Sequence, residues 1–228
     1  MSGRLVSLIA AVIAILPMAA RAHISVISGP AFANTSQEIT FGVGHGCSGV
    51  DTYSVRIEIP ASVTSVRAET SDFGRATLEK DAAGLVTAVT WQKPDANLLA
   101  SDDNYYKLTM RIKVPNQPFT TALFPAHQTC KAPDGTTTVV HWIATTSGGS
   151  DEPAPVLKVL PARVPGWNKV TVPLAITELS GYFGDALIVW KGSSAYSPNP
   201  NTVALIATTP GVTPLSAVAA NDEVWVKY

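Results

Sequence analysis

Short segments in which apolar and polar residues alternate recur along the chain after its first 22 residues. The alternation runs through residues 38–43, 53–59, 85–91, 106–114 and 137–143. A period of two is typical of strands with one buried face, and a sustained helical period is missing from this part of the sequence. Proline follows several of these segments, where its missing N–H does not interrupt a ladder of hydrogen bonds. The pattern predicts an all-β protein, an immunoglobulin-like β-sandwich.

The pattern changes after about residue 160. Residues 147–155 are rich in Gly, Ser and Pro and indicate a loop or boundary, and residues 154–159 predict a last strand. Beyond it, residues 185–190 and 223–228 predict strands and residues 201–208 a short helix. A tail of this size is marginal for folding alone. We expect a first domain over 23–160 and a small, mostly β extension over 161–228, packed on that domain or on a second copy of the chain.

The first 22 residues have the features of a secretory signal peptide. Arg4 supplies a positive start, residues 5–20 are almost uninterruptedly apolar, and Ala20-Arg21-Ala22 matches the small-x-small cleavage pattern. Cleavage after Ala22 makes His23 the first residue of a mature chain. No later apolar run approaches the roughly 20 residues of a membrane helix. The sequence therefore predicts a protein of the periplasm or one otherwise secreted, without a membrane span after cleavage.

Charge excludes two classes of partner. Arg4 and Arg21 leave with the leader, so the mature chain has 14 basic and 17 acidic side chains. Nucleic acids and anionic membranes both call for clustered positive charge, and the sequence has no Lys/Arg run. We therefore expect no nucleic-acid partner.

Export also decides how the cysteines are interpreted. Cys47 and Cys130 are the two cysteines of the chain. In an oxidising compartment a single pair most simply forms one disulfide, which typically contributes roughly 2–4 kcal/mol. The competing hypothesis is that a thiolate binds copper.

A histidine at a mature N-terminus offers two nitrogens from one residue, the α-amine and the imidazole Nδ1. Together they close a six-membered chelate ring on a metal, and divalent copper is the first-row ion that nitrogen ligands bind most tightly. Only Met110 remains as a thioether after the leader is removed, so a methionine-rich Cu(I) relay is not expected. The alternative is that cleavage falls before His23 by chance.

Several segments together resemble the bacterial YcnI-like copper-binding proteins. They are His23-Ile-Ser-Val after the cleavage pattern, the strand at 39–43, the segment Arg56-Ile-Glu-Ile-Pro60 and Val140-His-Trp-Ile143. The resemblance covers roughly residues 23–159, and the tail looks like an extension found in a subset of that family. It implies a β-sandwich that binds Cu(II) through a mono-histidine brace, in which the N-terminal His supplies nitrogens, a Glu supplies oxygen and a Trp lies near the metal.

The resemblance assigns the histidine to His23 and the tryptophan to Trp142. The glutamate does not carry over, because residues 43–47 read Val-Gly-His-Gly-Cys where typical members have a Val-Pro-x-Glu segment. We therefore expect His45, between two glycines, to take the place of the acid. Asp51 or Glu38 could supply the oxygen instead.

The remaining histidines are weaker candidates. His141 and Trp142 are neighbours on a predicted strand, so their side chains should point to opposite faces. If Trp142 covers the copper, His141 belongs to the other face. His127 precedes Cys130 and is a reserve ligand. The other four tryptophans, at positions 91, 167, 190 and 225, are interpreted as packing residues.

These observations favour a copper(II) carrier or buffer of the periplasm that is not an enzyme. Envelope copper transporters or oxidase-assembly proteins are the partners implied by the resemblance. One alternative is an oxidative copper enzyme of the histidine-brace type, with His45 as the second histidine. The other is a metal-free envelope assembly module, for which the sandwich and the aromatic-rich tail suffice.

Overall fold

The computed structural model describes residues 23–145 and 152–228. The predicted signal peptide, residues 1–22, lies outside the described residues, and so does most of the Gly/Ser segment before Glu152. The description below concerns the two described ranges only.

Three sheets build the first part of the chain. The four-stranded sheet has, in spatial order, β1 (Ser25–Val26), β3 (Ser36–Val43), β8 (Tyr106–Lys113) and β5 (Thr64–Ala68). The six-stranded sheet has β12 (Glu152–Pro153), β11 (Thr137–Ala144), β10 (Ala126–Lys131), β4 (Thr52–Glu58), β7 (Val86–Gln92) and β6 (Thr77–Lys80). A third sheet has β2 (Ala31–Phe32), β13 (Val156–Leu160) and β9 (Thr120–Leu123). A 3₁₀ turn covers Asp95–Asn97.

One hydrophobic core joins these sheets into a sandwich. Phe41 and Leu108 come from the four-stranded sheet, and Ile57 and Trp91 come from the six-stranded sheet; all four are fully buried in the same cluster. Alternate residues of each strand face this core, as the period of two requires. The prediction of an all-β, immunoglobulin-like sandwich is confirmed.

The disulfide between Cys47 and Cys130 is also confirmed. It joins the loop after β3 to β10 across 83 positions of sequence, with the two Cα atoms 5.8 Å apart. The alternative of a thiolate copper ligand is excluded, because both sulfurs are bonded to each other. The bond fixes the loop that carries His45 against the six-stranded sheet.

The tail forms a sheet of its own, with a separate core. Its strands, in spatial order, are β14 (Trp167–Thr171), β18 (Glu223–Lys227), β15 (Ile188–Lys191), β16 (Ser194–Tyr196) and β17 (Thr213–Pro214). Two helices, α1 (Ser180–Phe183) and α2 (Pro200–Thr208), complete it. The side chain of Asn199 caps α2 by accepting a hydrogen bond from the Asn201 N–H at 2.9 Å, and Pro200 occupies the first turn.

Contacts connect the tail with the sandwich. Phe119, which precedes β9, is buried in the core of the tail, with its ring 5.7 Å from that of Phe183. The guanidinium of Arg163 lies 4.5 Å from the ring centres of both Phe32 and Tyr228. Aromatic and cation–π packing therefore links the two regions. The boundary at residue 160 stays a prediction.

The interpretation of the other tryptophans as packing residues holds for Trp91, which is fully buried. Trp167 and Trp225 are each 49% exposed and line one apolar surface patch together with Trp190, so for these three the interpretation stays a prediction. In β18 the buried residues are Val224 and Val226, so alternation places Trp225 on the outer face of the tail sheet. The sequence pattern shows that alternation, but not which of the two faces is covered.

Candidate metal centre

His23 lies where the chain enters the sandwich. Two residues later, β1 pairs antiparallel with β3, with Ser25 opposite Gly42. Ile24 is buried in the core and anchors the segment, whereas the side chain of His23 is 47% exposed. The N-terminal end of the described chain is therefore held against the rim of the sandwich, with its imidazole open to solvent.

The six-stranded sheet brings Trp142 and Glu152 to this rim. The short strand β12 runs parallel to β11, and its register sets Glu152 opposite Trp142. The Nδ1 atom of His23 lies 4.0 Å from Oε2 of Glu152. The rings of His23 and Trp142 meet edge to face, with centroids 5.5 Å apart and planes at 80°. Three residues from separate segments thus converge on one point.

Gln128 holds the tryptophan in place. Its Oε1 accepts a hydrogen bond from the Trp142 indole N–H at 3.2 Å. Its Nε2 donates to the backbone oxygen of His45 at 2.7 Å and to Oγ1 of Thr52 at 2.9 Å. Gln128 and Trp142 are both buried, which fixes the orientation of the indole beside His23.

His45 lies near this group, and Nδ1 of its ring contacts the backbone oxygen of Gly46, with the carboxylate of Asp102 beyond it. His45, Trp142 and Glu152 line one surface cavity of about 600 Å³ together with Asp102 and Gln128. Nδ1 of His45 lies 3.9 Å from Oδ2 of Asp102. Asp102 also accepts a hydrogen bond from the N–H of Gly46. The role of His45 as a ligand stays a prediction.

The structure places His127 away from His23. His127 and His141 are opposite each other in the pairing of β10 with β11, on the outer face of the six-stranded sheet. Trp142 points to the inner face, and it is buried while His141 is exposed. The expectation that His141 and Trp142 face opposite sides is confirmed. His127 lies on the opposite face of this sheet from Trp142, and its role as a reserve ligand stays a prediction.

The two carboxylates considered as substitutes for the missing acid are also placed elsewhere. Asp51 is buried, and both of its oxygens accept hydrogen bonds from Nζ of Lys93, at 2.8 and 2.7 Å. Tyr106 donates a further bond to Asp51 at 2.8 Å, and burial, followed by that carboxylate, raises the pKa of the Tyr106 hydroxyl. Glu38 is exposed in β3 opposite Arg111, several residues from the end that pairs with β1.

Glu152 is the carboxylate that sequence reasoning missed. It follows a Gly/Ser run and precedes Pro153, a context that indicates a loop and hides a two-residue strand. The one available signal was an acidic pair, Asp151-Glu152, close to the predicted Trp142 strand. Neither composition nor spacing predicts the parallel pairing that places Glu152 beside Trp142.

The donor set can be tested against a metal ion. In the described ranges, no group of three or more His, Cys, Asp or Glu side chains could hold one. At His23 the side chains supply one nitrogen and one oxygen. Because ligand atoms lie about 2 Å from such an ion, two of them 4.0 Å apart can share it. If His23 is the first residue of a mature chain, its α-amine would supply a second nitrogen.

Comparison with known families gives one clear result. Residues 23–159 match the family described as a domain of unknown function, DUF1775. The chain belongs to this family. It is the family of the YcnI-like proteins, so the resemblance noted from the sequence is confirmed at that level. No functionally curated protein matches the chain.

Solved structures resemble the sandwich. An uncharacterized Nocardia farcinica protein, described as having an immunoglobulin-like fold, is 25% identical; the match covers 60% of this chain and 97% of that one, with a TM-score of 0.49. A cohesin module of a Clostridium perfringens family 33 glycoside hydrolase is 14% identical over 61% of this chain and 96% of that one, with a TM-score of 0.38. The major pilin subunit BcpA of Bacillus cereus is 9% identical; the match covers 87% of this chain and 52% of that one, with a TM-score of 0.35.

The described helices are all too short to cross a bilayer as an apolar span. The disulfide is typical of proteins in oxidising compartments.

Proposed function

We propose that this DUF1775 protein is exported and binds Cu(II) through His23 as its mature N-terminal residue, with Glu152 as the oxygen ligand. The observation that carries the proposal is the 4.0 Å separation of His23 Nδ1 and Glu152 Oε2 beside the indole of Trp142. Glu152 takes the place that we had assigned to His45, Asp51 or Glu38.

The donor chemistry favours Cu(II). An amine nitrogen, an imidazole nitrogen and a carboxylate oxygen are harder ligands than thiolate or thioether, which select Cu(I). The amine and Nδ1 of His23 chelate the ion from one residue, and only a residue at the chain terminus can offer both. The negative charge of Glu152 offsets part of the charge of the ion.

Trp142 gives the site one apolar wall. Its indole is almost fully buried, is oriented by Gln128 and lies edge to face with the His23 ring. This contact restricts the orientation of the imidazole, so less conformational entropy is lost when a metal binds. The exposed side of His23 leaves a route for the ion to enter and leave.

We further propose that the protein acts in periplasmic copper handling as a carrier or buffer. An exposed rim site with few protein ligands suits exchange of the ion with another protein. Envelope copper transporters and oxidase-assembly proteins are the class of partner that could donate or accept it. In this role copper is the cargo of the protein.

The test compares two forms of the chain in Cu(II) titrations. One form begins at His23, and the other carries a single alanine before it, which converts the amine into an amide. Changes in the second shell of a metal site alter affinity by roughly 10–100-fold, so loss of a direct ligand should weaken binding by more than about 100-fold. Equal affinity of the two forms would reject the site. Circular dichroism of both forms confirms that the fold is unchanged.

A further inference from the structure

A second group of metal-ligating side chains lies on the outer face of the six-stranded sheet. His127 and His141 are a cross-strand pair of β10 and β11, and their Nδ1 atoms are 2.8 Å apart. Nε2 of His127 lies 3.1 Å from Oε1 of Glu58, which is on the neighbouring strand β4. The proposed copper-carrying role uses none of these residues.

Glu58 is held as a charged hydrogen-bond acceptor. Nη1 of Arg56 donates to its Oε1 at 2.7 Å, and this bond is the main reason that the pKa of Glu58 is lowered. The same guanidinium donates through Nε and Nη2 to Glu79, at 2.7 and 2.9 Å. Arg56 is therefore fixed by two carboxylates, and the oxygen of Glu58 that faces His127 is kept in place.

This arrangement selects a tautomer of His127. An ionised carboxylate only accepts hydrogen bonds, so Nε2 of His127 carries the hydrogen and donates it to Glu58. In the neutral ring, Nδ1 then presents its lone pair toward His141. Without a metal, Nδ1 of His141 donates a hydrogen bond to that lone pair, which accounts for the short distance between the two Nδ1 atoms.

We propose that His127 and His141 form a bis-imidazole site for a first-row divalent cation, bound through both Nδ1 atoms. Bonds of about 2.0–2.1 Å from a metal to two neighbouring imidazole nitrogens place those nitrogens roughly 3 Å apart, close to the separation observed here. The ion takes the place of the hydrogen on Nδ1 of His141, and the ring stays neutral because Nε2 takes up the proton, by exchange through solvent.

Glu58 contacts a proposed ligand and does not contact the ion itself. Metal-binding histidines usually donate their other N–H to a carboxylate or carbonyl, which orients the ring and makes the ligand more basic. The Glu58–His127 pair reproduces that arrangement, with Arg56 behind it. We assign Glu58 as a positioning residue that acts through His127.

The site is preorganised and open. Both histidines lie within paired strands, so their backbones do not need to rearrange. His141 is exposed, and the side chain of His127 is 24% exposed, so an ion can reach both nitrogens. Two protein ligands leave the remaining positions to water, and imidazole suits Cu(II), Zn(II) and Ni(II).

The sheet separates this site from His23, so the two proposals can be tested apart. The protein used is the chain with one alanine before His23, in which the N-terminal amine is blocked. Titration with Cu(II) chloride should show one bound equivalent. His141→Ala should remove it, and Glu58→Gln should weaken it by about 10–100-fold. Glu223→Gln, the same substitution at an exposed carboxylate of the tail sheet, should leave it unchanged.

The result that overturns the proposal is an unchanged Cu(II) isotherm in His141→Ala, or an equal weakening of binding in Glu58→Gln and Glu223→Gln. His127→Ala serves as a second variant should His141→Ala unfold, which circular dichroism shows. In the chain that begins at His23, His141→Ala should remove one of two equivalents. The added alanine should remove the other Cu(II) equivalent, and that result tests the His23 site and not the bis-imidazole site.

Discussion

Trp142 and Glu152 lie opposite each other in the parallel pairing of β11 and β12. Ten positions of sequence separate them, and the register places both on the rim that receives His23. The carboxylate approaches the imidazole nitrogen to 4.0 Å, and the indole meets the imidazole ring edge to face. A short strand that carries a single acidic residue thus supplies the oxygen of the proposed donor set.

Glu152→Gln should weaken Cu(II) binding by the chain that begins at His23. The amide keeps the size of the side chain and removes its charge, so the ion loses its anionic ligand. We expect a decrease in affinity of at least about 10-fold, measured by competition with a chromophoric chelator.

Glu38→Gln is the matched control for that substitution. Glu38 is an exposed residue of β3 opposite Arg111, away from the His23 end of the strand. Its substitution removes the same charge from the chain and should leave Cu(II) affinity unchanged. A larger loss of affinity in Glu38→Gln than in Glu152→Gln would mean that the oxygen ligand has been assigned to the wrong residue.

Removing the disulfide should lower the free energy of unfolding. Cys47 and Cys130 close a long loop, and a bridge of this kind typically contributes roughly 2–4 kcal/mol. Urea unfolding of Cys47→Ala/Cys130→Ala, followed by tryptophan fluorescence, should show a lower midpoint than the parent chain. Addition of a reducing agent should lower the midpoint of the parent and not that of the double variant. The same response of both chains to the reductant would contradict this account.

Lys93→Met should be strongly destabilising. Lys93 and Asp51 form a buried ion pair, and breaking such a pair by removing one partner typically costs about 3–5 kcal/mol. The Nζ atom also donates to Tyr106 at 2.6 Å and lies 5.0 Å from the ring centre of Phe73. Urea unfolding measures the loss.

The double variant Lys93→Met/Asp51→Leu tests the reason for that loss. Replacing both charges leaves no unpaired buried carboxylate, so the double variant should be more stable than Lys93→Met alone. If the double variant were the less stable of the two, the penalty would come from packing and not from an uncompensated charge.

Two tryptophans should differ in their contribution to stability. Trp91 is fully buried, and its indole N–H donates to the backbone oxygen of Glu69 at 3.0 Å, so Trp91→Ala should cost about 3–5 kcal/mol. Trp225 is half exposed on the tail sheet, and Trp225→Ala should cost far less. Differential scanning calorimetry of both variants measures the two losses. Similar losses would show that the outer face of the tail sheet is covered in solution.

The fold follows from the sequence where large apolar residues alternate with polar ones. β3, β4, β7, β8 and β11 are within one or two residues of the predicted segments. β10 was missed because its inward residues are Ala126, Gln128 and Cys130, which are small or polar and give no apolar alternation. It is nevertheless central to the site, since Gln128 orients Trp142.

The candidate site is only partly predictable for a related reason. His23 follows from the leader and Trp142 from the family resemblance, and the structure brings their rings together. The position of Glu152 depends on the parallel pairing of β12 with β11, and such pairing has no local signature in the sequence. The sequence offers Asp51 as a ligand, whereas the structure pairs it with Lys93, a contact that depends on tertiary packing.

The most direct measurement is a crystal structure of the copper-loaded chain that begins at His23, with the metal located by anomalous scattering. The account predicts copper about 2 Å from the α-amine and Nδ1 of His23 and from a carboxylate oxygen of Glu152, next to the indole of Trp142. Copper bound elsewhere, or bound at His23 with Glu152 turned away from it, would contradict the account.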